Sequence, residues 1–396
     1  MRITYFADIR FPLERANGIQ TMETCHALAT RGHRVSLVVR ADTQAPARDP
    51  FAYYGLPPLD RLRIERAVVS GPALVRRLGY LSFSLGRAIG TSRADLLFTR
   101  DLGVAALLVS VPRRLRPPVV YESHGYAPEV AAALPDLVPA ATRPSPRKLQ
   151  RLAAREARVW QAAEGYVTIT AALRDEMEAR HGTRAHVAVI PDGVRIGHLH
   201  TTPVVRDSSA PVVAYAGHLY AWKGVEVLLR ALARVSTARG LIVGGHPGEP
   251  DLARLKALAT TLAIDDRVTF TGLVEPGRVA ALLRDADVLA LPNPPSAIST
   301  RFTSPLKLFE YMAAGRPIVA SDLPSIREVL HHEVDALLVA PGDHEAMAAA
   351  IEKLLADRAL SARLAKAALA AAPAYSWDRR AERLEVFFAA MGVTSE

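Results

Sequence analysis

The stretch Ser304–Ser321, SPLKLFEYMAAGRPIVAS, carries the pattern from which the rest of the chain is read. A Ser304-Pro305 step opens a helix, Gly315 closes it, and Pro317 leads into a β-branched strand at Ile318 to Ala320. The first turn of a helix leaves N–H groups unpaired within the helix and carries partial positive charge, which suits a phosphate. Lys307 adds charge there, and Glu310 lies about one turn further in, where a carboxylate accepts two neighbouring sugar hydroxyls. The plainer reading of Glu310, an acid that complements the helix dipole, stays open on this stretch alone.

Outward from this stretch, the second half alternates strand and helix. The pattern predicts strands at VVAYAG (212–217), LIVGG (241–245), VTFTG (268–272), VLALP (288–292) and ALLV (336–339). Helices fall between them, and a long Ala-rich helix spans about 343–371. The first half has the same rhythm: ITYFA (3–7), a glycine loop at Asn17-Gly18, a helix to Thr30, VSLVVR (35–40), LLFTRD (96–101), VVYESHG (119–125) and YVTIT (166–170). Strand, glycine loop, helix, strand is a βαβ unit, so the sheets are parallel. Residues 41–70 and 126–146 read as irregular, and 197–211 as a linker. The expectation is an α/β chain of two Rossmann-like domains facing a central cleft. The first covers 1–197 with a returning helix at 376–396, and the second covers 210–375.

Composition fits this division. At 396 residues, half of them apolar and 22% charged, the chain suits two globular domains. No apolar run approaches a membrane span. MRITYFADIRFPL places Asp8 and Arg10 where a signal peptide needs an apolar core, and the single Cys25 suits a reducing compartment. The expected location is therefore cytoplasmic. The net charge of +9 is uneven: residues 1–200 hold 28 Lys/Arg against 18 Asp/Glu. The first half is thus expected to meet something anionic, a phosphorylated acceptor or the inner face of a membrane, and no motif marks nucleic acid. LVRRLGYLSFSLGRA (74–88) is a basic amphipathic helix that would either lie on an anionic bilayer or pack on its own sheet with solvated arginines; the second reading is preferred. His124, at the carboxyl end of VVYES, stands where open α/β sheets bind ligands.

Four segments, in order, resemble the GT-B-fold glycosyltransferases of family 4, retaining enzymes that use nucleotide sugars. They are NGIQTMETCHALATRGHRVSLVV, VIPDGV, AYAGHLYAWKGVEVLLRALA and SPLKLFEYMAAGRPIVAS. The resemblance spans nearly the whole chain, and YSWDRRAERL is similar to the family's crossover segment, which returns to the first domain. It implies that Glu310 holds the ribose and that Lys223, in the block containing Gly217, neutralises the departing diphosphate. It further implies that the backbones of Leu306 and Lys307, with Gly18, surround phosphates and donor sugar, and that His124 touches the donor sugar. Gly244 and Gly245 would let the chain approach the nucleotide, or else form a tight turn, and Val274 would lie beside the base.

Two positions depart from the family pattern. Phe302 stands where a second glutamate is usual, eight residues before Glu310, and His218 stands where an arginine is usual, five before Lys223. An imidazole is a weaker and pH-dependent partner for a diphosphate. The resemblance implies a retaining glycosyltransferase with no permanently bound cofactor, UDP ahead of GDP in the donor, and an acceptor of unknown kind. No His/Asp/Cys cluster has metal-ligand spacing, and the helix N-terminus with Lys223 can take a metal's place, so no metal requirement is expected. The alternatives are a nucleotide-sugar 2-epimerase or phosphorylase of the same fold, or a non-catalytic nucleotide-sugar-binding protein.

Overall fold

The computed structural model describes residues 1–90, 94–137, 142–196, 210–246, 248–296, 299–300 and 306–393. The chain divides into two compact units. One comprises Met1–Ala132, Pro144–Asp192 and Trp377–Glu396, the other Ala133–Arg143 and Gly193–Ser376.

The first unit is built on β1 (Arg2–Arg10), β2 (Arg34–Arg40), β3 (Leu62–Ala67), β4 (Leu96–Thr99), β5 (Val119–Ser123), β6 (Gly165–Thr168) and β7 (Val187–Val189). They form a parallel sheet in the order β3-β2-β1-β4-β5-β6-β7. The inner strands β4, β5 and β6 are buried throughout, as parallel strands covered on both faces must be. Helix Ala16–Thr30 buries Met22, Cys25 and Leu28, the three-residue spacing visible in the sequence. Helix Trp377–Ala390 packs beside it, with Phe388 edge-on to Phe98 of β4 at 5.9 Å. Arg31 bonds both Asp378 (3.1 Å) and Glu385 (2.8 Å) of that helix.

The second unit holds β8 (Val212–Ala216), β9 (Arg239–Val243), β10 (Val268–Phe270), β11 (Val288–Leu291), β12 (Ile318–Ser321) and β13 (Leu337–Val339). Their order is β10-β9-β8-β11-β12-β13, again parallel. One face is covered by Val225, Leu228, Leu232 and Ile351, the other by Leu308, Phe309 and Met312. Both sheets are doubly wound, reversing direction beside β1 and β8, and such reversals are where open α/β sheets hold ligands.

Several expectations need correction. Residues 41–70 contain a helix, Pro50–Tyr54, capped by the Asp49 carboxylate, and the edge strand β3. Half-exposed and rich in arginine, β3 lacks the apolar run of its neighbours, so only its register with β2 reveals it. Residues 127–137 form a helix rather than a loop. The long helix of 343–371 is two, His344–Ala356 and Arg358–Ala371, because Asp357 leaves helical geometry and caps the second through the Leu360 N–H at 2.9 Å.

Helix Ala73–Ile89 also departs from the preferred reading. It rests on the sheet through Tyr80, Ser84 and Ala88, while Leu74, Val75, Leu78 and Ile89 face outward, between 47% and 69% exposed. Two of its arginines are paired rather than solvated. Arg77 bonds Asp101 at 2.6 Å and also Asp8, and Arg87 bonds Glu65 at 2.8 Å.

At the entrance to helix Val225–Arg234, Gly224 has a left-handed backbone (φ 78°), and a Cβ there would collide with the Pro292 carbonyl. Gly224→Ala is expected to cost about 1–3 kcal/mol, read as a lower Tm. An unchanged Tm would show that the two loops part without penalty.

Candidate functional site

Positive charge collects at the carboxyl ends of β8 and β11 in the second unit. Lys307 sits at the second position of helix Leu306–Ala314, which ends at Gly315 with its positive φ of 64°. Its side chain is buried, with Nζ 4.0 Å from the centre of the Tyr215 ring. Among the described residues this Nζ has no hydrogen-bond partner. Burial, and then the nearby Lys223, push its pKa well below the usual lysine range, with Glu310 opposing. Lys223 is half-buried with Nζ 3.6 Å from the Trp222 ring, and burial lowers its pKa to about 7. Burial raises Glu310 to about 6 against the pull of Lys307 and Arg195. Two lysines and one acid thus share a poorly solvated pocket wall, each disfavoured in its charged form.

The strand-end loops close round them. The Gly217 N–H donates to the Val243 carbonyl at 2.8 Å, and the space for a Gly244 Cβ is filled by the Gly217 carbonyl. Gly217 has φ 133°, Gly244 φ 125° and Gly245 φ 95°, a positive backbone that favours glycine at all three. The Ala216 N–H donates to the Tyr311 hydroxyl at 2.8 Å, fixing the lysine-bearing helix to the end of β8. His218 pairs with Glu249 through Nδ1 and stacks on Tyr220 at 5.2 Å, and Tyr220 stacks on Trp222 at 6.4 Å. Burial alone would raise the Glu249 carboxyl, but His218 and the Leu219 N–H outweigh it. Val274 packs at the margin of the core under the same helix. Ser304 and Phe302 lie outside the described residues.

In the first unit, His124 follows β5 with its ring one-fifth exposed. Its Nε2 meets Glu122 Oε1 at 2.6 Å, and the same oxygen accepts from Gln20 Nε2 at 2.6 Å. Glu122 Oε2 accepts from Arg380, on helix Trp377–Ala390. Burial alone would raise the Glu122 carboxyl, but Arg380 and His124 hold it down at about 2. Burial, then Arg100, lowers the pKa of His124. Asp192 lies close by, and burial raises its carboxyl. No metal-ligand spacing was visible in the sequence, yet the fold brings Glu122, His124 and Asp192 within 4.8 Å of one another. Arg380 already answers the Glu122 charge, so the donor set reads as a hydrogen-bond network rather than a cation seat. Gly18 lies two residues before Gln20. Its N–H donates to the Arg15 carbonyl at 2.8 Å, and a Cβ would press on Leu13 and the Tyr54 hydroxyl.

The fold therefore brings Lys223, Lys307, Glu310, Gly217, His218, Gly244 and Gly245 together, and separately gathers His124 and helix Ala16–Thr30, whose first turn contains Gly18 where a loop at Asn17-Gly18 was expected. Sequence reading missed Tyr215, Trp222, Glu249 and Tyr311, which support the lysines and loops, and Glu122, Gln20 and Arg380, which hold His124. A carboxylate inside the apolar run VVYES was the one available signal for Glu122.

Residues 18–197 match the model of Glycosyltransferase Family 4, and residues 210–357 that of Glycosyl transferases group 1. The chain belongs to the family 4 glycosyltransferases. Among curated members, it is 31% identical to D-inositol 3-phosphate glycosyltransferase of Xylanimonas cellulosilytica over 57% of each chain. The chain spans about half the length of the curated relatives it matches. Solved structures share the GT-B fold. Sucrose-phosphate synthase from Thermosynechococcus elongatus superimposes with a TM-score of 0.79 at 19% identity, covering 100% of both chains. Anabaena HepE, solved in complex with UDP-glucose, gives a TM-score of 0.72 at 20% identity, covering 98% of this chain and 99% of that one.

The lowered pKa of Lys223 makes a stability prediction. The folded chain binds that proton only below about pH 7, the unfolded chain up to about 10.5. Stability from this group therefore rises with pH between those values, and the penalty is complete below pH 7. Lys223→Met is expected to raise the Tm at pH 6, with the gain shrinking as pH climbs from 7 towards 10.5. A lower Tm at pH 6 would mean that the ammonium is well paired in the folded state.

Proposed function

We propose that this protein is a retaining glycosyltransferase that moves a sugar from a nucleoside diphosphate sugar to an acceptor. The observation that carries the reading is the Lys223, Lys307 and Glu310 cluster: one half-buried and one buried lysine amine, the buried one with no hydrogen-bond partner among the described residues, beside an acid in the middle of helix Leu306–Ala314. A diphosphate is the anion that would restore both lysines to their charged forms. A sugar diphosphate already has a good leaving group, so the protein's task is to meet developing phosphate charge and to orient two substrates.

In this reading the first-turn N–H groups of Leu306 and Lys307 face the phosphates, and Lys223 neutralises the leaving diphosphate. Glu310 accepts the ribose hydroxyls and Val274 lies along the base. The left-handed turns at Gly217, Gly244 and Gly245 set the loop that the nucleotide approaches, and the His218–Glu249 pair takes the place of the usual arginine. His124 contacts the donor sugar, with Gly18 placing the helix beside it. UDP is placed ahead of GDP, supported by the UDP-glucose bound to HepE. Helix tip and lysines supply the positive charge, so the reaction requires no metal. The first unit holds the acceptor, and the outward apolar face of helix Ala73–Ile89, with Val68 at 90% exposure, contacts an anionic membrane surface. No helix among the described residues is long and apolar enough to cross a membrane.

Glu310→Ala is expected to raise the apparent KM for the nucleotide sugar by about tenfold or more, the worth of a charged hydrogen-bond pair. The circular dichroism spectrum should stay unchanged, and turnover should persist in EDTA. An unaltered KM removes Glu310 from the site, and activity that EDTA stops and magnesium restores removes metal independence.

Co-sedimentation with phosphatidylglycerol vesicles is expected to fall as salt rises and to weaken in Leu78→Glu. No salt-sensitive binding by the unaltered protein would dismiss the membrane contact.

A further inference from the structure

We propose that Glu122 and Arg380 are positioning residues that fix His124 in one neutral tautomer and leave its Nδ1 as a hydrogen-bond acceptor for a substrate hydroxyl. The role of Nδ1 rests on the glycosyltransferase reading; the tautomer does not.

Glu122 is fully buried in β5, and both of its oxygens are committed. Oε1 receives His124 Nε2 at 2.6 Å and Gln20 Nε2 at 2.6 Å, and Oε2 receives the Arg380 guanidinium. Arg380, 3% exposed, is itself held on three further sides. Its Nη1 donates to the carbonyls of Ile190 (2.9 Å) and Pro191 (3.1 Å), and its Nε to Thr24 Oγ1 (3.3 Å). Arg100 completes the shell by donating to Gln20 Oε1 at 2.8 Å, which turns the Gln20 amide so that its N–H faces Glu122.

The chemistry follows from the donor inventory. A guanidinium only donates, so Glu122 must accept from Arg380, and an ionised carboxylate only accepts, so His124 Nε2 must carry the proton. A neutral ring then presents the lone pair of Nδ1, for which the described residues supply no hydrogen bond, on a side chain that is one-fifth exposed. A buried ion pair of this kind contributes little stability that an apolar pair would not match. Its distinctive effect is directional: it sets which imidazole nitrogen donates and which accepts.

Glu122→Gln tests this with almost no change of shape. Arg380 will capture the new amide oxygen, so the amide NH2 turns towards His124 and makes Nε2 an acceptor, reversing the tautomer, while the Gln20 amide, now facing a donor, turns its oxygen towards that NH2 and away from Arg100. The ¹⁵N-edited imidazole spectrum of the full chain, assigned by its difference from His124→Gln, reads this directly. The expected results are an Nε2–H ring at pH 7 in the unaltered protein and an Nδ1–H ring in Glu122→Gln. A fall in kcat of about tenfold or more is expected with them, as a wrong tautomer gives elsewhere, with the donor KM little changed. An Nδ1–H or doubly protonated ring in the unaltered protein overturns the proposal, even if Glu122→Gln fails to fold. So does a reversed tautomer with unchanged kcat. If the unaltered protein turns over no nucleotide sugar, the transferase reading falls, and the spectra still judge the tautomer.

Discussion

Keeping two lysine amines poorly solvated beside one acid is the constraint on which the second unit turns. Removing a lysine from solvent costs several kcal/mol unless something answers its charge. The fold answers it only in part, with the faces of Tyr215 and Trp222, which attract a cation weakly. What remains is a standing preference for an anion. The supports are close-packed: Tyr311 ties the Lys307 helix to β8, and Gly224 and Gly244 let loops approach one another where a Cβ would collide with the Pro292 and Gly217 carbonyls. Close packing matters because a site that could relax would let the lysines reach water and lose its preference.

The first unit handles charge in the opposite way. There the buried carboxylate of Glu122 is met in full, by Arg380, His124 and Gln20, and the result is orientation rather than demand for a ligand. The His218–Glu249 pair falls between the two. An arginine would stay charged at every accessible pH, whereas His218 depends on Glu249 and on its stack with Tyr220 to hold its place.

The parallel sheets were legible because β4, β5, β8 and β11 are buried on both faces and mostly apolar, and a run of that kind needs no partner to declare itself. β3 was illegible for the converse reason: an edge strand is half wet, and its arginines look like loop. The helix at 74–88 misled through its own amphipathicity. It packs on its sheet as preferred, but Arg77 and Arg87 reach carboxylates instead of solvent, and Leu74 and Leu78 face outward while Leu81 packs on the core. In the site, Lys223, Lys307 and Glu310 were readable because two local motifs carry them. Tyr215 and Tyr311 were not, because their roles depend on strand ends meeting a helix roughly a hundred residues away. Glu122 and Arg380 are 258 positions apart, and no spacing rule reaches that far.

That separation has a consequence for how the first unit is completed. Its core includes Trp377, Leu384 and Phe388, and Phe388 packs on Phe98 in the middle of the sheet. Without helix Trp377–Ala390, Glu122 would be a buried carboxylate lacking its guanidinium, which is strongly destabilising in an apolar interior. The first 192 residues therefore cannot reach their final packing during synthesis until the whole second unit has been made. The same ion pair that orients His124 thus couples completion of the first unit's core to completion of the histidine's surroundings. A chain that has not yet docked that helix lacks the arginine that fixes the ring.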